Sequence, residues 1–420
     1  MAFVNYKRGL VIFAIANLII GVNVRGFLVP GGNMVSVENL LVLVYSVVYF
    51  IKRKTFLTEK EKFPFAVPFI LIAVSWMLSS TITIAPGKIS NTISAILRQL
   101  VIIYLYWKTL DRKSLNIVYY GSCIIIFLSV VYAQYEYIIQ SNPIYDYIIS
   151  SNIDEENVID WNFDDSIERG YRVKSFFDHA ISAGVMWALC FFWVIIFCSN
   201  SNVFKNKGAV RFIYYILMLL CILGIVYSRS RSGLVFVMVC MLYFVNFKQT
   251  KFYVYFALGG IVIGVLGSSI PQFGDIFMSI FSPKAADSVG GSSMDLRFDQ
   301  LDAALSLFFE SPVLGLGSGF QELVSEEMAA RLMGYESMWF EIIPSYGLLG
   351  VFANLFLAYV SIIKIPKKYN SKAIKYVCLA YWIVGSLSSL PGFKMHYYYI
   401  IIFYLIKNSS VYNEKYEKCY

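Results

Sequence analysis

Two arginines interleaved with serines, Ser228-Arg229-Ser230-Arg231-Ser232-Gly233, form a cationic knot between two hydrophobic stretches. A guanidinium presents a planar fork of donors that matches phosphate oxygens in pairs. Ser232 is placed to cap the helix that follows, which would add backbone donors and a positive helix end to the two side chains. The chemistry this pattern suits is the grip of a phosphate or pyrophosphate; the competing account is a pair of interfacial anchors reaching for lipid headgroups. Arg297, within Asp295-Leu296-Arg297-Phe298-Asp299, either joins such a grip or pairs locally with Asp299 or Asp302. Arg172, Lys174, Asp178 and His179 fall together in Arg-Val-Lys-Ser-Phe-Phe-Asp-His. There the histidine is either a proton carrier or a hydrogen-bonded structural residue at the edge of a span.

Two carboxylates, Glu336 and Glu341, flank the start of a long apolar stretch in Tyr335-Glu336-Ser337-Met338-Trp339-Phe340-Glu341. A carboxylate at such a rim is partly desolvated and suits general-base work on a hydroxyl. Charge complementarity at a helix N-terminus is the plainer reading of Glu336, and neutralisation of an arginine that of Glu341. Arg98 lies inside an apolar stretch, so it should face a cavity or pair with Glu136 or Glu38 rather than meet lipid.

The elements that must position these groups are hydrophobic helices. The chain of 420 residues is 58% hydrophobic and 17% aromatic, with a mean hydropathy of +0.63, which excludes an ordinary soluble protein. Apolar runs long enough to cross ~30 Å of hydrocarbon recur along it. They predict an all-α polytopic membrane protein of about twelve transmembrane helices, at 9–24, 35–51, 63–84, 91–107, 115–138, 178–198, 212–227, 232–247, 252–270, 337–363, 376–390 and 395–407. Met1 to Arg8 shows no small-residue cleavage site after the first run, so that run is expected to be retained.

Charge sets the orientation. Of the 23 lysines, 19 fall in alternate connections that would lie on the near, cytoplasmic side, whereas eight of the twelve arginines fall in or beside segments on the far side. An even number of spans then puts both termini in the cytoplasm. The expected organisation is 1–138, N-terminal spans; 139–177, a far-side loop; 178–270, central spans with the arginine turn at 228–233; 271–336, a larger far-side loop, helical at 295–310 and 320–333; and 337–420, C-terminal spans and tail.

Several function classes drop out. The net charge of +8 mostly counts topology-setting lysines and is no sign of nucleic-acid binding. Six of the seven cysteines sit in apolar runs and the seventh in the C-terminal tail, so no disulfide framework is implied. Two histidines, His179 and His396, and the lack of a Cys/His cluster argue against a zinc site. The stretch Gly315-Leu316-Gly317-Ser318-Gly319 lacks the Lys-Ser/Thr of a nucleotide-binding loop; its glycines suit a tight re-entry towards the membrane or a close backbone approach to a ligand. No internal repeat of the transporter kind is evident.

Taken in order, the motifs resemble those of the O-antigen polymerase/O-antigen ligase superfamily, membrane glycosyltransferases of bacterial surface polysaccharide assembly. The Ser-Arg-Ser-Arg element at 228–231 is similar to the family's arginine element. Glu310-Ser311-Pro312 with Leu314-Gly315-Leu316-Gly317 resembles its Pro-x-x-Gly-x-Gly segment, and Tyr346-Gly347-Leu348-Leu349-Gly350 its Gly-Leu-Leu-Gly. Arg172 with Phe176-Phe177-Asp178-His179 is similar to the arginine-bearing segment before an upstream span. The resemblance covers about residues 170–360. Family ligases, and many of its polymerases, carry His-Asn where this chain has Glu336-Ser337; the absent histidine argues against a ligase, and a glutamate can still accept a hydroxyl proton, so the polymerase reading stands.

The resemblance implies inverting, metal-independent and cofactor-free transfer from an undecaprenyl-pyrophosphate-linked oligosaccharide at the periplasmic face of a bacterial inner membrane. Arg229, Arg231, Arg297 and Arg172 would hold the pyrophosphate and Glu336 would be the base, with His179, Arg98 and Glu341 as secondary candidates. Expected partners are the lipid-linked oligosaccharide, membrane lipid and a chain-length regulator in the same membrane. An O-antigen ligase acting on lipid A core is the near alternative, and a lipid-linked oligosaccharide transporter the distant one.

Overall fold

The structure, a computed structural model, describes residues 5–18, 37–56, 62–82, 88–144, 146–147, 171–200, 208–244, 294–320, 324–332, 334–390 and 395–409. Every regular element among them is helical. In chain order these are α1 (Tyr6–Ala16), α2 (Val37–Phe56) and α3 (Ala66–Ile82). Next comes α4, running from Lys88–Ile96 through a π-helical turn, Leu97–Val101, into Ile102–Thr109. Then follow α5 (Arg112–Ile139), α6 (Ala180–Asn200), α7 (Gly208–Tyr227), α8 (Arg231–Met241), α9 (Met294–Glu310) and α10 (Glu326–Arg331). The last three are α11 (Met338–Tyr359, continuing as Val360–Lys364 and Ile365–Tyr369), α12 (Lys372–Leu387) and α13 (Met395–Lys407).

Eleven of the expected spans overlap a helix among the described residues; the remaining one, 252–270, lies outside them. Among the described residues, four helical stretches, Ile89–Thr109, Arg112–Ile139, Ala180–Cys198 and Met338–Tyr369, are long and apolar enough to cross a membrane. The shorter apolar helices include Asn39–Lys52, Ala66–Ser79, Phe212–Tyr227 and Arg231–Phe244; the structure supports an all-helical membrane protein, and helix length among the described residues does not establish the count of twelve. Outward faces are apolar: Ile124 and Ile138 on α5, Phe212 and Leu219 on α7, and Phe352 and Leu355 on α11 are all exposed. Hydrocarbon accepts such a surface and water does not. Of the expected loop helices, the first is α9; the second is shorter than 320–333, only the turn and a half of α10. The loop at 139–177 is described only at its ends.

α6 is the hub. It is buried almost all round, packs against α7 and α8, and a hydrophobic helix without a polar face belongs in the centre. Gly184 of α6 meets Gly233 of α8 backbone to backbone, a Cβ at Gly233 coming within 2.9 Å of the Gly184 carbonyl. α8 then packs along α12 in antiparallel fashion, with Cys240 facing Cys378. The start of α8 therefore lies beside the end of α12. That end of α12 also receives the start of α11, where the Trp339 indole donates to Ser386 Oγ at 2.9 Å. Four helix termini so converge at one end of the bundle. The opposite end gathers lysines: Lys7 pairs with Asp111, and Lys407 donates to the carbonyls of Trp107 and Leu110 at 2.9 and 2.7 Å, closing the end of α4.

α11 is broken. Pro344 lies within it, and Gly347 takes a non-helical conformation (φ 57°, ψ −157°). The segment after α9 plugs the gap. Leu348 and Leu349 N–H donate to the carbonyls of Pro312 and Val313 at 2.8 and 3.2 Å, while Leu316 and Gly317 N–H donate to those of Pro344 and Ser345, both at 2.8 Å. Ser79 Oγ of α3 adds a fifth bond, to the Ser345 carbonyl at 2.6 Å. Backbone groups freed by a break at membrane depth must find partners within the protein, and here the loop supplies them. The expected close approach by the 315–317 glycines is thus to α11: a Cβ at Gly315 would stand 2.4 Å from the Ser345 carbonyl.

Candidate functional site

The arginine turn is set by its backbone. Arg229 takes a left-handed conformation (φ 48°), which few residues other than glycine adopt, and this ends α7 and aims the chain into α8. Ser228 and Ser230 are buried, with Ser228 Oγ donating to the Ile225 carbonyl at 2.8 Å. Ser230, not Ser232 as expected, caps α8, its Oγ accepting from Gly233 N–H at 3.3 Å. The reversal at Arg229 starts the helix at Arg231, so Ser232 already lies within the first turn. Arg229 and Arg231 thus bracket the cap of an eleven-residue helix.

Arg172 joins them. Its Nε donates to the Ser228 carbonyl at 3.3 Å, and Val173 N–H donates to the Tyr227 carbonyl at 3.2 Å. Tyr137 stacks on Tyr227 from the end of α5, ring centroids 4.1 Å apart. The segment is anchored from behind by Glu136, which is fully buried. Its carboxylate accepts from Tyr171 OH at 3.0 Å, Lys174 N–H at 3.1 Å and Ser175 N–H at 2.7 Å. Those bonds correct the expected role for Glu136 as a counter-ion to Arg98: its binding positions are taken by the 171–175 segment, whose groups are too distant in sequence to be foreseen. Arg98 itself lies half-buried in the π-helical turn of α4. Lys174, facing Glu136, Asp146 and Asp178, is pushed down to about 8 by burial, which outweighs those charges. His179 Nδ1 accepts from Ile181 N–H at 3.1 Å, a structural role at the start of α6.

A second cluster forms at the start of α11. Arg297 Nη2 lies 3.5 Å from Glu336 Oε2, both groups about a quarter exposed. The local pairing considered for Arg297 is not what the structure has. Arg331 takes that place, with Asp299 oxygens at 2.7, 3.0 and 3.2 Å and Asp302 at 3.1 Å. It holds the Asp299 carboxyl below its usual range and is itself raised by the pair. Asp299 and Asp302 are thereby drawn towards α10, and Arg297 is left to face Glu336. Gln300, fully buried, fixes the backbone there by accepting from Glu336 N–H at 3.0 Å. Beneath them Ala303, Ala304, Leu307, Phe320 and Leu332 make a small separate core. Glu341 lies in the first turn of α11 and is exposed. Arg331 was not among the expected site residues; it lies in the segment expected only as a short loop helix at 320–333.

The structure therefore joins Arg172 to the Arg229–Arg231 turn, joins Arg297 to Glu336, and sets both clusters beside the terminal turn of α12. An array of guanidiniums at a helix N-terminus can hold a multiply charged phosphate, and a carboxylate at the rim can take a proton from a hydroxyl. No curated protein matches the chain. The family model described as O-antigen ligase matches residues 216–355, a stretch holding the arginine turn, α9, the plugged break and Glu336. Over that stretch the chain is similar to the O-antigen ligase family, in line with the resemblance that its motifs carry.

Proposed function

We propose that the protein is a polymerase of lipid-linked oligosaccharide repeat units, acting at the periplasmic face of a bacterial inner membrane with both termini in the cytoplasm. The donor is the growing chain on undecaprenyl pyrophosphate; the acceptor is the non-reducing sugar of a second lipid-linked unit. The acceptor hydroxyl oxygen forms a bond to the donor's anomeric carbon as the bond from that carbon to phosphate oxygen breaks. The bonding pair leaves with the pyrophosphate, Glu336 takes the hydroxyl proton, and the anomeric configuration inverts. Arg229, Arg231 and Arg172 stabilise the charge that grows on the leaving group, so guanidiniums supply the positive field and no metal is invoked. Arg297 orients the Glu336 carboxylate until donor phosphate competes for it.

The observation that carries this reading is the joining of Arg172 to the Arg229–Arg231 turn, at the same end of the bundle as the Arg297–Glu336 pair. Anchors reaching for headgroups have no need of one another. A chain-length regulator in the same membrane is the proposed protein partner. Purified protein given donor lipid already exposed to solvent tests the reading: polymer must form, and a protein that only moves lipid-linked sugars gives none.

A ligase is the second reading, favoured by the description of the matching family model. Deleting the gene separates the two. Loss of a polymerase leaves single repeat units on the acceptor, whereas loss of a ligase leaves none attached.

A further inference from the structure

Glu136 stands 35 to 39 residues from the groups it binds and carries a cost that packing alone does not require. A buried carboxylate loses its hydration and is tolerated only with several donors in place. A leucine at that site would fill the space without the penalty. Three of its donors come from one short stretch, Tyr171, Lys174 and Ser175, with the Asn142 side chain as a further partner, and Ser175 adopts a left-handed backbone (φ 53°) in delivering its N–H. Ser175 is held twice more, its Oγ donating to the Ser129 carbonyl at 2.7 Å and its carbonyl accepting from Asn142 Nδ2 at 3.0 Å.

The residues between those donors face the other way. Arg172 and Val173 bind the carbonyls of Ser228 and Tyr227, the last residues before Arg229. One stretch of five residues thus bolts α5 to the arginine turn, with Glu136 as the fixed point. The geometry points to Glu136 as a positioning residue that fixes the Arg172 guanidinium in the phosphate-holding group with Arg229 and Arg231, an inference that rests on the pyrophosphate reading above. A guanidinium whose main chain is already ordered loses little further freedom when anion binds, and its contribution to affinity rises accordingly.

The test uses the full-length protein in detergent or nanodiscs with a lipid-pyrophosphate-linked donor, and inorganic pyrophosphate as competing probe. Glu136→Gln keeps one acceptor oxygen and sets an N–H₂ against one of the two backbone N–H groups, which bond different carboxylate oxygens. It should raise the donor KM and the pyrophosphate inhibition constant by roughly 10–100-fold, with kcat changed far less. Glu136→Asp should recover part of the loss. In the Glu136→Gln/Arg172→Ala double variant the effect should be no larger than that of Arg172→Ala alone, because both changes remove the same contact. Tyr171→Phe, which deletes one donor and keeps the ring, should give a smaller KM effect that also vanishes in the Arg172→Ala background, and it serves should Glu136→Gln fail to fold. Multiplying losses in either double variant, or unchanged kinetics in the folded single variants while Arg172→Ala is impaired, would overturn the inference and leave the pyrophosphate reading intact. Wild-type protein that neither turns over the donor nor is inhibited by pyrophosphate would remove both.

Discussion

Arg331 and Arg297 divide the charges of α9 between them: Arg331 clasps Asp299 at 2.7 Å and reaches Asp302, and Arg297 turns to Glu336 at 3.5 Å. The division matters because an arginine neutralised by its own helix has little left for a ligand. Asp299 and Asp302 stand two and five residues after Arg297, spacings that do not stack side chains on one helix face. That spacing, with the Arg331 clasp, keeps the Arg297–Glu336 pair available.

Replacing Arg229 or Arg231 with alanine in protein that still inserts should shorten surface polysaccharide chains to single units. Loss of one preorganised donor corresponds to about 2.7–4 kcal/mol of transition-state stabilisation. The lysine variants separate phosphate binding from anchoring, since lysine anchors as well as arginine but lacks the paired fork. Long chains in both lysine variants would show that the charge alone suffices.

Glu336→Gln should lower turnover by roughly 10²–10⁴-fold, the usual worth of a positioned base, and Glu336→Asp should keep part of it. Rates measured on purified protein decide the matter. An amide variant with full activity would transfer the base role elsewhere, with Glu341 in the first turn of α11 first in line.

At the break in α11, Gly315→Ala should destabilise the protein by about 1–3 kcal/mol through overpacking against the Ser345 carbonyl, over and above its backbone strain. Gly319 supplies the control: it too has a positive φ (76°), but nothing lies within 4 Å of the place a Cβ would take. Thermal unfolding in detergent should therefore rank wild type, Gly319→Ala and Gly315→Ala in that order. Equal losses in the two variants would mean that the contact carries no weight.

Lys174 predicts a pH effect of definite sign. Its ordinary value is 10.5 and burial pushes it down to about 8 in the folded protein. Between those values the unfolded chain binds more protons than the folded one, so stability rises with pH across that window. Tyr171, raised by burial and then by Glu136, acts with opposite sign only at higher pH. The melting temperature of wild type should therefore climb relative to Lys174→Met from pH 8 to about 9.5. Parallel curves would contradict the burial of this ammonium.

Much of this architecture was legible in residue order, and the exceptions have physical causes. The apolar face of Leu301 and Leu305 announced α9, and the arginine-serine alternation announced the turn before α8, because both signals are local. The capping residue shifted by two positions since the left-handed Arg229 is a tertiary outcome that no serine spacing encodes. Glu136 looked like a partner for Arg98 because both were charges in apolar helices; two of its actual donors are backbone N–H groups, which carry no side-chain signature. Arg331 was overlooked for a similar reason: Asp299 lies 32 residues away. Short helices such as α8 blurred the span count, since hydropathy marks apolar runs and not where a helix stops.

The plugged break in α11 ties together two stretches that a gene carries some thirty codons apart. Pro312 and Val313 satisfy Leu348 and Leu349, and Pro344 and Ser345 satisfy Leu316 and Gly317, so neither stretch is complete without its mate. A hybrid that takes the loop from one relative and the following helix from another inherits a joint cut from two different patterns. Any mismatch there strands amide groups in hydrocarbon. Successful domain exchange in this protein must move 312 through 349 as a single cassette, and natural recombination is under the same constraint.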